Sequence, residues 1–221
     1  MRVLTRTPRP KGEQSVEPGK KIVQYPHPAL RHPAKPVTSI DGELRRYAER
    51  MLELMYEHEG LGLAAPQVAL PVQLLVMNFE GDPQKKALEY IAINPVILER
   101  KGSQEGSEGC LSFPDLYQKV RRAKTVTVQA YNLDGQLYEM TCSDLPARLW
   151  QHEIDHLHGR LFIDMMGPIG RMSSRAALRQ FEAEYKAAQR KGEIESDDEL
   201  RRQLKELEKI FNQPAPAAPV M

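Results

Sequence analysis

The chain has 221 residues, 28% of them charged and 41% hydrophobic, and a formal net charge of +1. That balance suits one folded unit of catalytic size with tails, and it excludes the strongly charged, core-poor composition of a disordered protein or a polybasic nucleic-acid binder. No apolar stretch approaches the ~18 residues of a membrane span, and the leading MRVLTRTPRPKGEQ is basic without the apolar middle of a signal peptide, so a cytoplasmic protein with no membrane or DNA partner is expected.

Residues 1–20, with three prolines and two glycines, read as a flexible lead. Folded structure is expected from KIVQYPHPALRHPAKPV, where prolines force extended or turn backbone. From Asp41, a candidate N-cap, Leu44, Ala48, Met51 and Met55 form one helical stripe that stops at Gly60. Strands are predicted over 71–79 and 89–98, and a hairpin around Asp134-Gly135. Ser143 or Asp144 caps a second helix over about 145–158, with an early proline and a closing glycine. Beyond Arg171 the chain is charge-rich and helical in propensity, broken at Gly192 and restarted by the capping box Ser196…Glu199. Leu200, Leu204, Leu207 and Phe211 recur in that last segment, which reads as a solvated helix followed by an Ala/Pro tail. Strands in runs, with helices among and after them, give an α+β class rather than alternating βαβ units.

The second helix carries chemistry. His152-Glu153-Ile154-Asp155-His156 is an HExxH pattern, whose two imidazoles project from one helix face and can share a metal ion. Glu153, beside the first histidine, lies within reach of a water held there and can act as general base. The competing reading is two exposed histidines on a charged helix; Leu149, Trp150, Ile154 and Leu157 around the motif argue instead for burial, and buried histidines need partners. Catalytic zinc-type sites use three protein ligands and leave one position open. Downstream, His158 points elsewhere on the helix and Asp164 is the nearby acidic alternative. Upstream, Cys110 in EGCLSFP could bind as a thiolate, with Gly109 allowing close backbone approach. The other cysteine, Cys142, reads as a small buried side chain, and without a secretory signal both are expected reduced.

Three motifs in order, GLGLAAPQ at 60–67, EGCLS at 108–112 and QHEIDH at 151–156, make the chain resemble the peptide deformylases, with YPHPALRHPAKPV and GRLFID as further similar segments. The similarity covers about residues 21–166. It implies an α+β fold in which antiparallel sheets pack around a central HExxH-bearing helix, with an N-terminal helix and a C-terminal helical extension. The domain organisation expected is a lead over 1–20, a catalytic unit over 21–170, a helix over 171–191 and a charged tail over 192–221. By resemblance Cys110, His152 and His156 bind one divalent metal, typically Fe²⁺, with Zn²⁺, Ni²⁺ or Co²⁺ as other occupants. The implied reaction is hydrolysis of the N-formyl group from the initiator methionine of nascent peptides, releasing formate. Glu153 would transfer protons, while the Gln67 side chain and the Leu111 backbone N–H would stabilise the oxyanion. The substrate backbone would pair near Gly62, and Leu61, Gly109 and Leu149 would line the methionine pocket.

Glu108 and Arg122 resemble a supporting ion pair, and the bland alternative is two independent surface charges. Arg148, one turn before His152, leaves the pocket unaffected if its guanidinium turns outward with only its stem lining it. The helix from Arg171 resembles one through which relatives contact the ribosome, although its acidic residues dilute the basic ones. A metalloprotease or amidase with another third ligand, and a binding module with a structural metal, are the competing readings; hydrolysis of formyl-Met peptides but not internal peptide bonds separates them.

Overall fold

A computed structural model describes residues 19–211. After a 3-10 turn at Pro28–Arg31 comes helix α1, Gly42–Glu57. Asp41 caps it as expected, its carboxylate accepting from the Glu43 and Leu44 amides at 3.0 and 2.9 Å. The stop differs in detail from the expectation. Glu59, not Gly60, takes the left-handed conformation (φ +55°), while a Cβ on Gly60 would fall 2.7 Å from Leu111 Cδ1 and 3.2 Å from the Met55 carbonyl oxygen.

Strands β1 (Gly62–Ala64), β2 (Leu74–Asn78), β3 (Glu89–Lys101), β6 (Thr125–Tyr131) and β7 (Leu137–Ser143) form a five-stranded sheet in the order β1-β2-β3-β6-β7, antiparallel throughout. The predicted strands at 71–79 and 89–98 are β2 and β3, and the hairpin at Asp134-Gly135 joins β6 to β7. Strand alternation explains why β2 is apolar on both faces. Leu74 and Val76 pack with Leu44, Met51 and Met55 of α1, whereas Leu75 and Met77 pack with Ala147, Trp150, Ile154 and Leu157 of helix α2, Asp144–Leu157.

The segment around EGCLSFP, for which the sequence predicts no strand, forms a second sheet. β4 (Gln104–Cys110) and β5 (Phe113–Arg122) pair as a hairpin with an irregularity between Glu108 and Cys110. Glycines weaken strand propensity, which hid β4 in the sequence. Both of its glycines answer to tertiary neighbours: a Cβ at Gly106 would fall 2.9 Å from the Arg148 guanidinium, and one at Gly109 would fall 2.5 Å from the Tyr117 ring.

Helix α3 runs over Pro168–Arg190, starting before the expected Arg171 because Pro168 occupies its first turn. Helix α4 spans Asp197–Phe211, its start marked by the Glu199 amide donating to Ser196 Oγ at 3.3 Å. It is docked rather than solvated. Leu200 and Leu204 are each 3% exposed, Leu204 joins a core of Val23, Leu30, Phe113 and Phe162, and the Phe211 ring lies 5.8 Å from Tyr47. The lead over 1–20 and the Ala/Pro tail lie outside the described residues, except for 19 and 20. Among the described residues no helix is long and apolar enough to cross a membrane.

Candidate metal centre and substrate cleft

Helix α2 lies against the sheet through its apolar residues and turns a polar face towards the β4–β5 hairpin. On that face Arg148, His152 and Asp155 recur at intervals of four and three, so they share one side of the helix. All three are buried, as are Glu153 and His156. Gln151 anchors the helix in rotation. Its side-chain amide donates to the Ala123 carbonyl and its oxygen accepts from the Ala123 N–H, both at 3.0 Å.

The hairpin delivers Cys110 to this helix. Cys110 Sγ lies 3.3 Å from His156 Nε2, which lies 3.3 Å from His152 Nε2. Among the described residues this is the group of three that could hold a metal ion, its ligand atoms all within 4.8 Å of one another. The two other candidates for a third ligand are engaged elsewhere: His158 Nδ1 contacts the Ile154 carbonyl at 2.8 Å, and Asp164 binds Arg31 and the Leu161 N–H. Cys142 lies in β7, half-buried against the core that Leu75 and Met77 form with α2, and burial pushes its thiol up.

Beneath the ligand atoms sits Glu108. Its carboxylate accepts from Arg122 Nε and Nη2 at 2.9 Å each and from Arg148 Nη1 at 2.6 Å, and it lies 3.1 Å from His152 Nδ1. Burial alone would raise its pKa, but the bonds from His152 and Arg122 hold the carboxyl well below the usual range. Arg122 continues to Asp155. The Glu108–Arg122 pair is therefore a buried one and not two independent surface charges. An Nδ1–H donated to Glu108 directs His152 Nε2 towards His156 and Cys110. Burial opposes charge on His152, yet its contacts with Cys110 and Glu108 raise its pKa well above the ordinary value. Burial and the neighbouring His152 depress His156.

Glu153 is 2% exposed, burial pushes its carboxyl up to about 7, and its Oε2 has no hydrogen-bond partner among the described residues. Gly62 makes room for it: a Cβ there would lie 2.6 Å from Glu153 Oε1. The Gln67 amide is fixed by Ala64 N–H donating to Oε1 at 2.8 Å, which leaves Nε2 3.4 Å from both Cys110 Sγ and Ser112 Oγ. Leu111 follows Cys110 in the turn between β4 and β5, its carbonyl accepting from Gln24 at 3.1 Å.

A cleft of about 490 Å³ opens onto this group. Leu61, Gly62, Gly109 and Leu149 all line it, together with Gln67, Leu111, His152 and Glu153. Sequence reasoning missed the Tyr117 ring laid against Gly109 and the inward turn of Arg148. Arg148 was findable in part, since it stands four residues before a ligand candidate. Its acceptors lie on β4 and β5, and no local pattern connects them.

An α+β scaffold that groups a thiol with two imidazoles and sets a buried carboxylate beside them at the floor of a cleft is that of a metal-dependent hydrolase. Residues 19–172 match the family model described as Polypeptide deformylase, and the chain belongs to the peptide deformylase family. Peptide deformylase from Rhodopirellula baltica is 38% identical over 190 residues, covering 86% of this chain and 94% of that protein. The enzyme from Acidobacterium capsulatum is 49% identical over 146 residues, 65% of this chain and 84% of its own. Among solved structures, peptide deformylase from Plasmodium falciparum superposes with a TM-score of 0.74 at 39% identity, covering 76% of this chain and 98% of that one. The family's activity is removal of the formyl group from N-formyl-methionine.

Proposed function

We propose that this chain releases formate from the N-formyl-methionine terminus of newly made polypeptides, using one divalent metal ion held by Cys110, His152 and His156. The observation that carries the reading is the convergence of those three ligand atoms within 4.8 Å, beside a cleft lined by Glu153, whose Oε2 has no hydrogen-bond partner among the described residues. The residues fit an ion: the thiol and the two Nε2 atoms crowd to 3.3 Å without a protein group between them, and a soft thiolate with two imidazoles suits Fe²⁺, Zn²⁺, Ni²⁺ or Co²⁺. Fe²⁺ is the ion we assign.

Such an ion supplies Lewis acidity and acidifies water at the site. Glu153 then takes the proton of the attacking water and returns it to the departing amine, a role suited to a carboxyl whose pKa burial has raised towards neutrality. As negative charge develops on the formyl oxygen, the Gln67 Nε2 and the Leu111 N–H donate to it. Gln67 is preorganised for this, because its oxygen is already held by Ala64. Leu61, Gly109 and Leu149 receive the methionine side chain, and the Gly62 backbone pairs with the substrate main chain.

In this reading the HExxH helix is central to the catalytic unit over 21–170, α3 is a platform that can meet the ribosome, and the protein works in the cytoplasm. Formate release from formyl-Met-Ala-Ser by anaerobically purified protein, with metal analysis of the same sample, tests it. We expect one metal per chain and formate in step with the substrate consumed. Metal bound without formate sinks the proposal.

A further inference from the structure

We infer that Arg148 is a positioning residue of the metal centre: it fixes the Glu108 carboxylate against which the His152 ring is oriented. The inference rests on the reading of Cys110, His152 and His156 as ligands and goes beyond it.

Arg148 is 7% exposed, and its guanidinium turns into the protein. Nη1 donates to Glu108 Oε1 at 2.6 Å and to the Val120 carbonyl at 2.9 Å, and Nη2 reaches the Gln104 carbonyl at 3.3 Å. A carboxylate offers about four acceptor positions. At Glu108 three guanidinium donors, two from Arg122 and one from Arg148, leave one position, which His152 Nδ1 at 3.1 Å fills in the tautomer that carries its proton there. Arg122 divides its guanidinium between two carboxylates, its remaining nitrogen going to Asp155. Arg148 approaches from α2, tied to β4 and β5 by its two carbonyl contacts, and so holds the carboxylate between two guanidinium groups. A carboxylate that accepts from a ligating histidine fixes both the tautomer and the ring's direction. Displacing Glu108 by a few tenths of an ångström would therefore reach the ligand atom.

Gly106, two residues before Glu108 on β4, supports the same conclusion. A Cβ there would stand 2.9 Å from Arg148 Nη2 and 3.0 Å from Cζ and Nε, so the guanidinium occupies the space a side chain on β4 would fill. The simpler alternative is that Arg148 only braces α2 against the hairpin through the Val120 and Gln104 carbonyls. In that case its loss would lower stability without changing the ligands.

The test uses full-length protein loaded anaerobically with Co²⁺, whose visible spectrum reports thiolate and imidazole coordination. Wild type is compared with Arg148→Met, Arg148→Lys and Gly106→Ala. The readouts are cobalt release to excess chelator, the spectrum and the melting of the metal-free forms. We expect Arg148→Met to release cobalt about 10- to 100-fold faster with shifted bands, the range typical of lost ligand-orienting partners. Arg148→Lys should recover part of the effect, since one point charge replaces a planar fork. Gly106→Ala, which keeps the charge but displaces the guanidinium, should also accelerate release. Wild-type release rates and spectra in Arg148→Met and Gly106→Ala overturn the proposal, even if melting temperatures fall. If Arg148→Met does not fold, Gly106→Ala and Arg148→Lys decide by the same two readouts. A wild-type protein that holds no cobalt would overturn the ligand assignment instead.

Discussion

Under the ligand atoms, Glu108, Arg122, Arg148 and Asp155 exchange hydrogen bonds where hardly any water reaches. α4, by contrast, is seated by Leu200 and Leu204, with Phe211 on Tyr47 and with Glu208 reaching His32 at 2.8 Å and Lys35 at 3.8 Å. Both regions join segments far apart in the chain. Buried ion networks repay their desolvation only when every partner is in place, so the first region contributes more to geometry than to stability. Apolar burial is non-directional and contributes roughly 25 cal/mol per Å², so the second contributes stability and little orientation. The two should therefore separate in what else a mutation moves: change in the cleft should alter rate whatever it costs in stability, and change under α4 should alter folding alone.

The largest effect expected is at Glu153. Replacing it with alanine should lower kcat by about 10²- to 10⁴-fold, the usual contribution of a positioned acid–base group. Metal content should be unchanged and stability no lower, because the change removes a buried carboxyl whose Oε2 is unpartnered. Gln67→Ala should be slowed less, by roughly the 2.7–4 kcal/mol of one oxyanion donor. Formate kinetics and metal analysis on the same preparations check both, and a Glu153→Ala variant as active as wild type would remove it as the base.

Leu204→Ala reverses the pattern. At 3% exposure in a core with Leu30, Phe113 and Phe162, its truncation should cost about 2–4 kcal/mol of unfolding free energy. Urea unfolding would measure it, and kcat/KM at low temperature should stay within a factor of about two. A stability cost below 0.5 kcal/mol, on the order of surface changes, would mean that α4 is not seated as described.

How far the sequence anticipated this division depends on whether the signals are local. α1 was legible to its cap because Asp41 and the Leu44–Met55 stripe lie within the helix itself. The HExxH pair was legible because helical spacing alone brings His152 and His156 together. β4 was not, because Gly106 and Gly109 answer to Arg148 and Tyr117, residues 42 and 8 positions away. The Leu200–Leu204 spacing was visible, but what it covers, the segment around Leu30, is some 170 residues distant. The inward turn of Arg148 was hidden for the same reason.

Acidification probes a third kind of burial. His27 is 3% exposed, its Nδ1 accepts from the Ala29 N–H at 3.2 Å, and burial holds its pKa down to about 4 against 6.5, with Asp197 and Lys21 pulling in opposite directions. Between those values the unfolded chain binds a proton that the folded one refuses. The folded state is thus fully favoured above pH 6.5 and loses roughly 3 kcal/mol as pH falls through 4. His27→Asn keeps a capping acceptor for Ala29 but cannot titrate. The variant should lose less stability than wild type between pH 7 and pH 4.5 in urea unfolding, and parallel profiles would clear His27 of the effect.

The smallest effect belongs to an ion pair that resembles the cleft network on paper. Arg50 Nη1 reaches Glu53 Oε2 at 2.8 Å and Glu57 Oε1 at 3.0 Å on α1, the same pattern of one guanidinium and two carboxylates that Arg122 makes with Glu108 and Asp155. The Arg50, Glu53 and Glu57 side chains are 38%, 63% and 52% exposed, against 4% for Arg122 and Glu108. Water and salt screen the outer cluster, so Arg50→Ala should change stability by no more than about 0.5 kcal/mol, less still in 0.5 M salt. Arg122→Ala would leave the Glu108 carboxylate with lost partners in a dry site, and buried pairs broken on one side cost about 3–5 kcal/mol. Equal costs for the two substitutions would mean that burial does not set the difference between these networks, and the separation of cleft from scaffold would fail with it.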